Sequence, residues 1–228
     1  MKTHYSTDPS VKDQAGDIWK GMVPEFRWWS TQSSAIVITP ACDLANNKCD
    51  WVSFVPVVSL REWFVGRSFF RDVVLQLKEA AALLQLMIPV FLDSGSITGS
   101  HFQALDELEK KVLAIRPVKG QQVHIDRCKA ALVVLRAQVG LGSCTVNDVR
   151  ACFAKGGFEK LVRSITGNSY RGDIHFLPTD GRVHPYSAME EDSVALFRYV
   201  FSRPIELLGA ANDTSSQDWE SARNGICE

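Results

Sequence analysis

The sequence predicts an α+β protein in which a small β-barrel is interrupted by a large α-helical insertion. Three observations predict it. Residues 16–59 hold two strand signals, residues 66–169 carry helical periodicity with capping and stop signals, and residues 173–201 return to a strand pattern. Two or three strands alone make a poor sheet, so the returning strands are expected to supply partners for the first set. The expected division is a flexible N-terminus at 1–14, a barrel from 15–65 and 170–208, a helical insertion at 66–169 and a polar tail at 209–228.

The β-branched run Ala35-Ile36-Val37-Ile38-Thr39, stopped by Pro40, reads as a buried strand. Trp51-Val52-Ser53-Phe54-Val55-Pro56 alternates large apolar with small residues and is expected to end at its proline. Between them Ala41–Asp50 is a polar connection with Asp43, Asn46 and Asn47, which favour turns. Strands so close in sequence most simply pair antiparallel. Leu60–Val65 then completes the first barrel segment, and the period changes at Gly66.

From Ser68 onward Phe69, Val73, Leu77, Leu83, Leu84 and Met87 recur at helical steps, with Pro89 as the stop. Ser100 with Gln103 forms a capping box for a helix through Ile115, and Val123–Val139 is a helix closed by Gly140. Thr145 with Asp148 caps a helix through Phe153, and Phe158–Ile165 is a further short helix. Asp173–Pro178 alternates as a strand, Thr179-Asp180-Gly181 is a turn, and Ser193–Phe201 is read as one strong strand. Beyond Leu208 the composition cannot bury much surface and reads as a mobile linker.

With a net charge of -1 over 228 residues, nothing global points to nucleic acid or membrane. The charge is uneven: residues 66–166 carry 14 Lys and Arg against 9 Asp and Glu, and residues 167–228 carry 5 against 10. This fits a basic face for an anionic partner, or two parts of one domain that complement each other. The six cysteines, Cys42, Cys49, Cys128, Cys144, Cys152 and Cys227, form no CxxC pair. With an N-terminus too polar for a signal peptide, they read as reduced thiols of a cytoplasmic protein. The longest apolar run, Ala80–Leu92, is interrupted by Gln85 and Pro89 and is too short to span a membrane.

Gly16-Asp17-Ile18-Trp19, the run Ala35–Pro40, Asn46-Asn47-Lys48 and Val55-Pro56 together resemble the MazF/PemK family of small β-barrels. The likeness covers about residues 16–59 and implies an SH3-like barrel in a bacterial toxin–antitoxin or antiviral defence setting. Family members that cut RNA carry an Arg just before the first of these strands and a Thr just after the Val-Pro pair. Here those positions fall on Ser33 and Val58, with Ser59 next door, so the resemblance does not carry the ribonuclease site across.

Several residues have the chemistry for a site. Cys42 and Asp43 lie in the loop leaving the first buried strand; a nucleophilic thiol needs a base, and His175 is the candidate if the two strands pair. The bland alternative is that Cys42 fills the turn and Asp43 caps its backbone. For RNA cleavage Asp43, Lys48, Ser59 and His175 are the candidate catalytic residues, serving as acid, base or phosphate ligand. Cys42, Asp43, Asn46, Asn47 and Lys48 are candidate binding residues. Trp28 and Trp29 beside Arg27 have the character of a base-stacking pair or of a protein-contact patch. Arg198, inside an apolar strand, either faces solvent or serves as an anion ligand at the barrel mouth. The five histidines have no metal-like spacing, and Cys42, Cys49, His175 and His184 are spaced unlike a zinc finger. No metal and no small-molecule cofactor is expected. The expected function is a non-catalytic, MazF-like regulatory protein that binds a protein partner; the alternative is an endoribonuclease toxin with RNA as its partner and a non-standard site.

Overall fold

A computed structural model describes residues 15–20, 34–46, 48–88, 99–179 and 191–206. The chain divides into two compact units, Met1–Ser59 with Arg171–Glu228 and Leu60–Tyr170. The first is a sheet of strands β1 (Ile18–Lys20), β2 (Ser34–Val37), β3 (Trp51–Ser59), β4 (Ile174–Leu177), β5 (Ser193–Leu196) and β6 (Phe201–Pro204). The second holds helices α2 (Leu60–Val65), α3 (Phe70–Leu83), α4 (Gly99–Ala114), α5 (Gln122–Gln138), α6 (Val146–Cys152) and α7 (Gly157–Thr166). One short helix, α1 (Ala41–Ala45), follows β2.

The sheet is antiparallel throughout, in the order β1-β2-β3-β5-β4, with β6 also pairing β3. Among the described residues it is open: β1 and β4 stand at its two ends and are not paired to each other. The strand that returns from beyond the helical unit does pair with the first set, through Val57 opposite Ala195 and Phe54 opposite Phe201. Both faces of β3 are apolar. One face packs Ala35, Val37, Leu44, Val52 and Phe54 into a core; the other packs Val55, Val57 and Ala195. A strand covered on two sides needs no alternation, which is why Val55–Val58 is a continuous apolar run.

Two strand boundaries differ from expectation, and one cause explains both. Strand β3 does not stop at Pro56 but runs on to Ser59. The segment Ser193–Phe201 is not one strand but breaks into β5, a 3₁₀ turn at Phe197–Tyr199, and β6. The hydrogen bond from Ile38 N to Ser53 O (2.9 Å) and the register Val37 opposite Phe54 turn the amides of residues 53, 55 and 57 toward β2. By alternation Pro56 faces the β5–β6 side. Proline has no N–H to give there, and opposite it the partner strand leaves the ladder: pairing jumps from Ala195 at Val57 to Phe201 at Phe54. Arg198 reinforces the break, because continued alternation from Val194 and Leu196 would carry its charge onto the buried face.

Other departures are local. Ala41–Ala45 is helical because the Pro40 carbonyl accepts from Asp43 N (3.0 Å) and Leu44 N (3.2 Å) while Leu44 is buried as an anchor. Leu60–Val65 is helix rather than the close of the barrel, burying Trp63 and Phe64. Helix α3 ends at Leu83, well before Pro89: Gln85 adopts φ 56°, Leu86 N bonds Ala81 O (2.9 Å) and Gln85 N bonds Ala82 O (3.1 Å), a Schellman closure. Ser100 lies inside α4 and not before it. The Thr145–Asp148 capping box is present in both directions, Thr145 N to Asp148 Oδ2 at 2.7 Å and Asp148 N to Thr145 Oγ1 at 3.4 Å. In the helical unit Trp63, Phe64, Phe69 and Phe158 meet ring to ring, and α5 is buried on most of its circumference against α3, α4 and α6.

Candidate functional site

The loop after β2 keeps its candidates close together. Cys42 is exposed, its Sγ 3.7 Å from Asp43 Oδ1, and Asn46 Nδ2 donates to the Cys42 carbonyl at 2.6 Å. Lys48 is exposed and its backbone N donates to Asp43 O at 2.9 Å, which folds the loop back on α1. Asp43 is half-buried. Thus Asn46 closes the α1 turn and Cys42 is on the surface. Among the described residues the side-chain neighbour of that thiol is a carboxylate, not the cation that stabilises a reactive thiolate.

His175 is not that missing base. It is exposed on β4, opposite Ala195 of β5, while Cys42 follows β2. Along the sheet β2 and β4 are three strand spacings of ~4.8 Å apart, so the pairing that would join Cys42 to His175 does not occur. Ser59 ends β3 opposite Ser193, at the far end of the strand from the Ala41–Asp50 loop. At ~3.3 Å per residue the length of β3 separates it from that loop by roughly 25 Å. The register puts Ser59 and His175 on one face, with Ser193 and Ala195 of β5 lying between them. Val58 is buried. Trp28, Trp29, Arg27, Ser33, Asn47 and His184, together with the expected turn at Thr179–Gly181 beyond Thr179, the N-terminus and the tail, lie outside the described residues. Among the described residues no three His, Cys, Asp or Glu side chains group to hold a metal ion, and no helix is long and apolar enough to cross a membrane.

A more ordered polar cluster sits where the strand breaks. Arg171 grips Asp173 with two parallel bonds, Nε to Oδ1 at 2.9 Å and Nη2 to Oδ2 at 2.7 Å. Arg198, on the 3₁₀ turn, reaches the same carboxylate with Nε 3.1 Å from Oδ2. The Asp173 carbonyl accepts from Phe197 N at 2.9 Å and so ties the turn to the approach of β4. The Asp173 carboxyl is held below its usual range, chiefly by the hydrogen bond from Arg171; burial opposes this, and the charges of Arg171 and then Arg198 lower it further. The Asp173 carboxylate thus faces two guanidiniums, and Arg198 is 56% exposed. Beside it Phe197 and Val200 are exposed at 44% and 50%.

Of these groups only Arg198 stands out in the sequence, as a charge within an apolar run. Arg171 and Asp173 carry one available signal, opposite charges two residues apart at a strand entrance. What joins them to Arg198 is the β4–β5 register, Ile174 opposite Leu196.

Comparison with protein-family models, with curated proteins and with solved structures finds no match to this chain.

Proposed function

We propose that this chain is a non-catalytic regulatory protein that works by binding a protein partner in the cytoplasm, in a bacterial defence or toxin–antitoxin-type system, on a sheet of SH3-like, MazF-like kind. The barrel reading is supported by the antiparallel β1-β2-β3 order and by β5 and β6, which return from beyond the helical unit to pair with β3. One observation carries the functional reading. The acid–base candidates for cutting RNA are divided between two ends of β3, Asp43 and Lys48 near its start and Ser59 and His175 toward its finish. Cleavage needs a base at the 2′-hydroxyl and a cation on the same phosphate, within hydrogen-bond reach of one another's target. Groups roughly 25 Å apart cannot meet that demand, whereas a binding surface tolerates wide spacing.

A second reading, an endoribonuclease with a non-standard site, draws support from Ser59 and His175 sharing one face. Incubating the purified chain with a mixed RNA pool separates the two. Intact RNA together with one stoichiometric co-purifying protein is expected. Specific cuts lost in the double variant Asp43→Ala, Lys48→Ala, or in His175→Ala, would overturn the binding-protein reading.

A further inference from the structure

We infer that the turn Phe197–Tyr199 is the point at which the chain docks a protein segment bearing a carboxylate next to a large apolar side chain. This rests on the binding-protein reading above and names the chemistry of the partner. Arg171 occupies both oxygens of Asp173, so Arg198 is left a single contact through Nε. Among the described residues Arg198 donates no hydrogen bond, and its contact with Asp173 is an ion pair through Nε at 3.1 Å. That leaves the terminal nitrogens, the edge of the fork that can hold a carboxylate in two parallel bonds, unused among the described residues.

Apolar surface lies alongside. Phe197 in the turn and Val200 just after it are both exposed. An exposed aromatic residue adjacent in the chain to an exposed arginine has the composition of an interface hot spot. Nucleic acid has the same anionic chemistry, but the surroundings oppose it. The described residues of this unit carry seven acidic against five basic side chains, a field that tolerates one carboxylate on Arg198 and repels a chain of phosphates.

The test is a titration of the full-length, ¹⁵N-labelled chain with the acetylated and amidated peptide Asp-Leu-Glu-Phe, its Asn-Leu-Gln-Phe counterpart and a ten-base oligouridylate. The acidic peptide is expected to shift the Phe197–Val200 amides and the Arg198 Nε–H saturably, about tenfold more tightly than the amide peptide. Arg198→Gln should abolish that difference, and Arg198→Lys, which keeps the charge without the fork, should retain only part of it. Unchanged amide positions elsewhere confirm that the variants fold. Equal affinity for the two peptides, equal affinity in wild type and Arg198→Gln, or stronger shifts with oligouridylate would each overturn the inference. If the stoichiometric partner from the RNA-pool experiment binds Arg198→Gln undiminished, the docking point is refuted while the binding-protein reading stands.

Discussion

Arg127 offers a test of how the helical unit is held together. Its side chain is only 6% exposed, and it joins three helices: Nε donates to the carbonyl of Cys152 at the end of α6 (2.9 Å), and Nη2 reaches Gln76 Oε1 (3.3 Å) and Glu79 Oε2 (3.5 Å) on α3. The bond to Cys152 matters most, because the last carbonyls of a helix have no partner within it. A hydrogen bond from a charged donor contributes about 1.5–3 kcal/mol. The Gln76 contact adds about 0.5–1 kcal/mol at its longer distance. The Glu79 carboxylate is 62% exposed, so its pairing adds little. Arg127→Ala also leaves a cavity among α3, α5 and α6, which makes a total loss of roughly 3–4 kcal/mol. Native-state hydrogen exchange reads this directly in the buried α5 amides, which are expected to exchange two to three orders of magnitude faster, by about 1.4 kcal/mol per decade. Arg127→Met, which refills the volume without the donors, should fall between wild type and alanine. Protection within about fivefold of wild type in the alanine variant, a change below ~1 kcal/mol, would refute the bridging role.

Phe54 is fully buried and stacked on Phe201 with ring centroids 5.4 Å apart, so Phe54→Ala should destabilise the sheet by about 3–5 kcal/mol, read as lost exchange protection in β2 and β3. Full protection there would contradict the core described for this face. Iodoacetamide at pH 8 is expected to label exposed Cys42 and to spare Cys128 and Cys152, whose thiols burial pushes up to about 11 and about 12. Labelling of Cys152 at the rate of Cys42 would count against that burial. Because the folded values are raised, the neutral thiols contribute stability below the unfolded thiol value and lose it as pH climbs toward the folded one. Unfolding free energy should therefore fall above pH ~9, less steeply in Cys152→Ala. Asp173 has the opposite sign: its folded value is lowered, so its contribution is present above the unfolded value of about 3.9 and lost as pH falls through the folded one. Carboxyl-carbon NMR should find its midpoint below that of an exposed aspartate, and Arg171→Gln should raise it more than Arg198→Gln.

The sequence alone determined the alternation of strand, helix and strand, and did so where local chemistry is decisive. The run Ala35–Thr39 is stiff and apolar, the Thr145–Asp148 box satisfies its own backbone, and Gly140, at φ 90°, takes a left-handed conformation just beyond α5. The tertiary structure alone decided what depends on a distant partner. Pro56 reads as a strand end, yet it is tolerated mid-strand because the neighbouring strand withdraws opposite it, and only the register reveals which neighbour that is. The same register sends Cys42 and His175 to different parts of the sheet and brings Arg198 to the carboxylate that Arg171 already holds. Such meetings are set by strand pairing over separations of twenty residues and more, and local propensity carries no information about them.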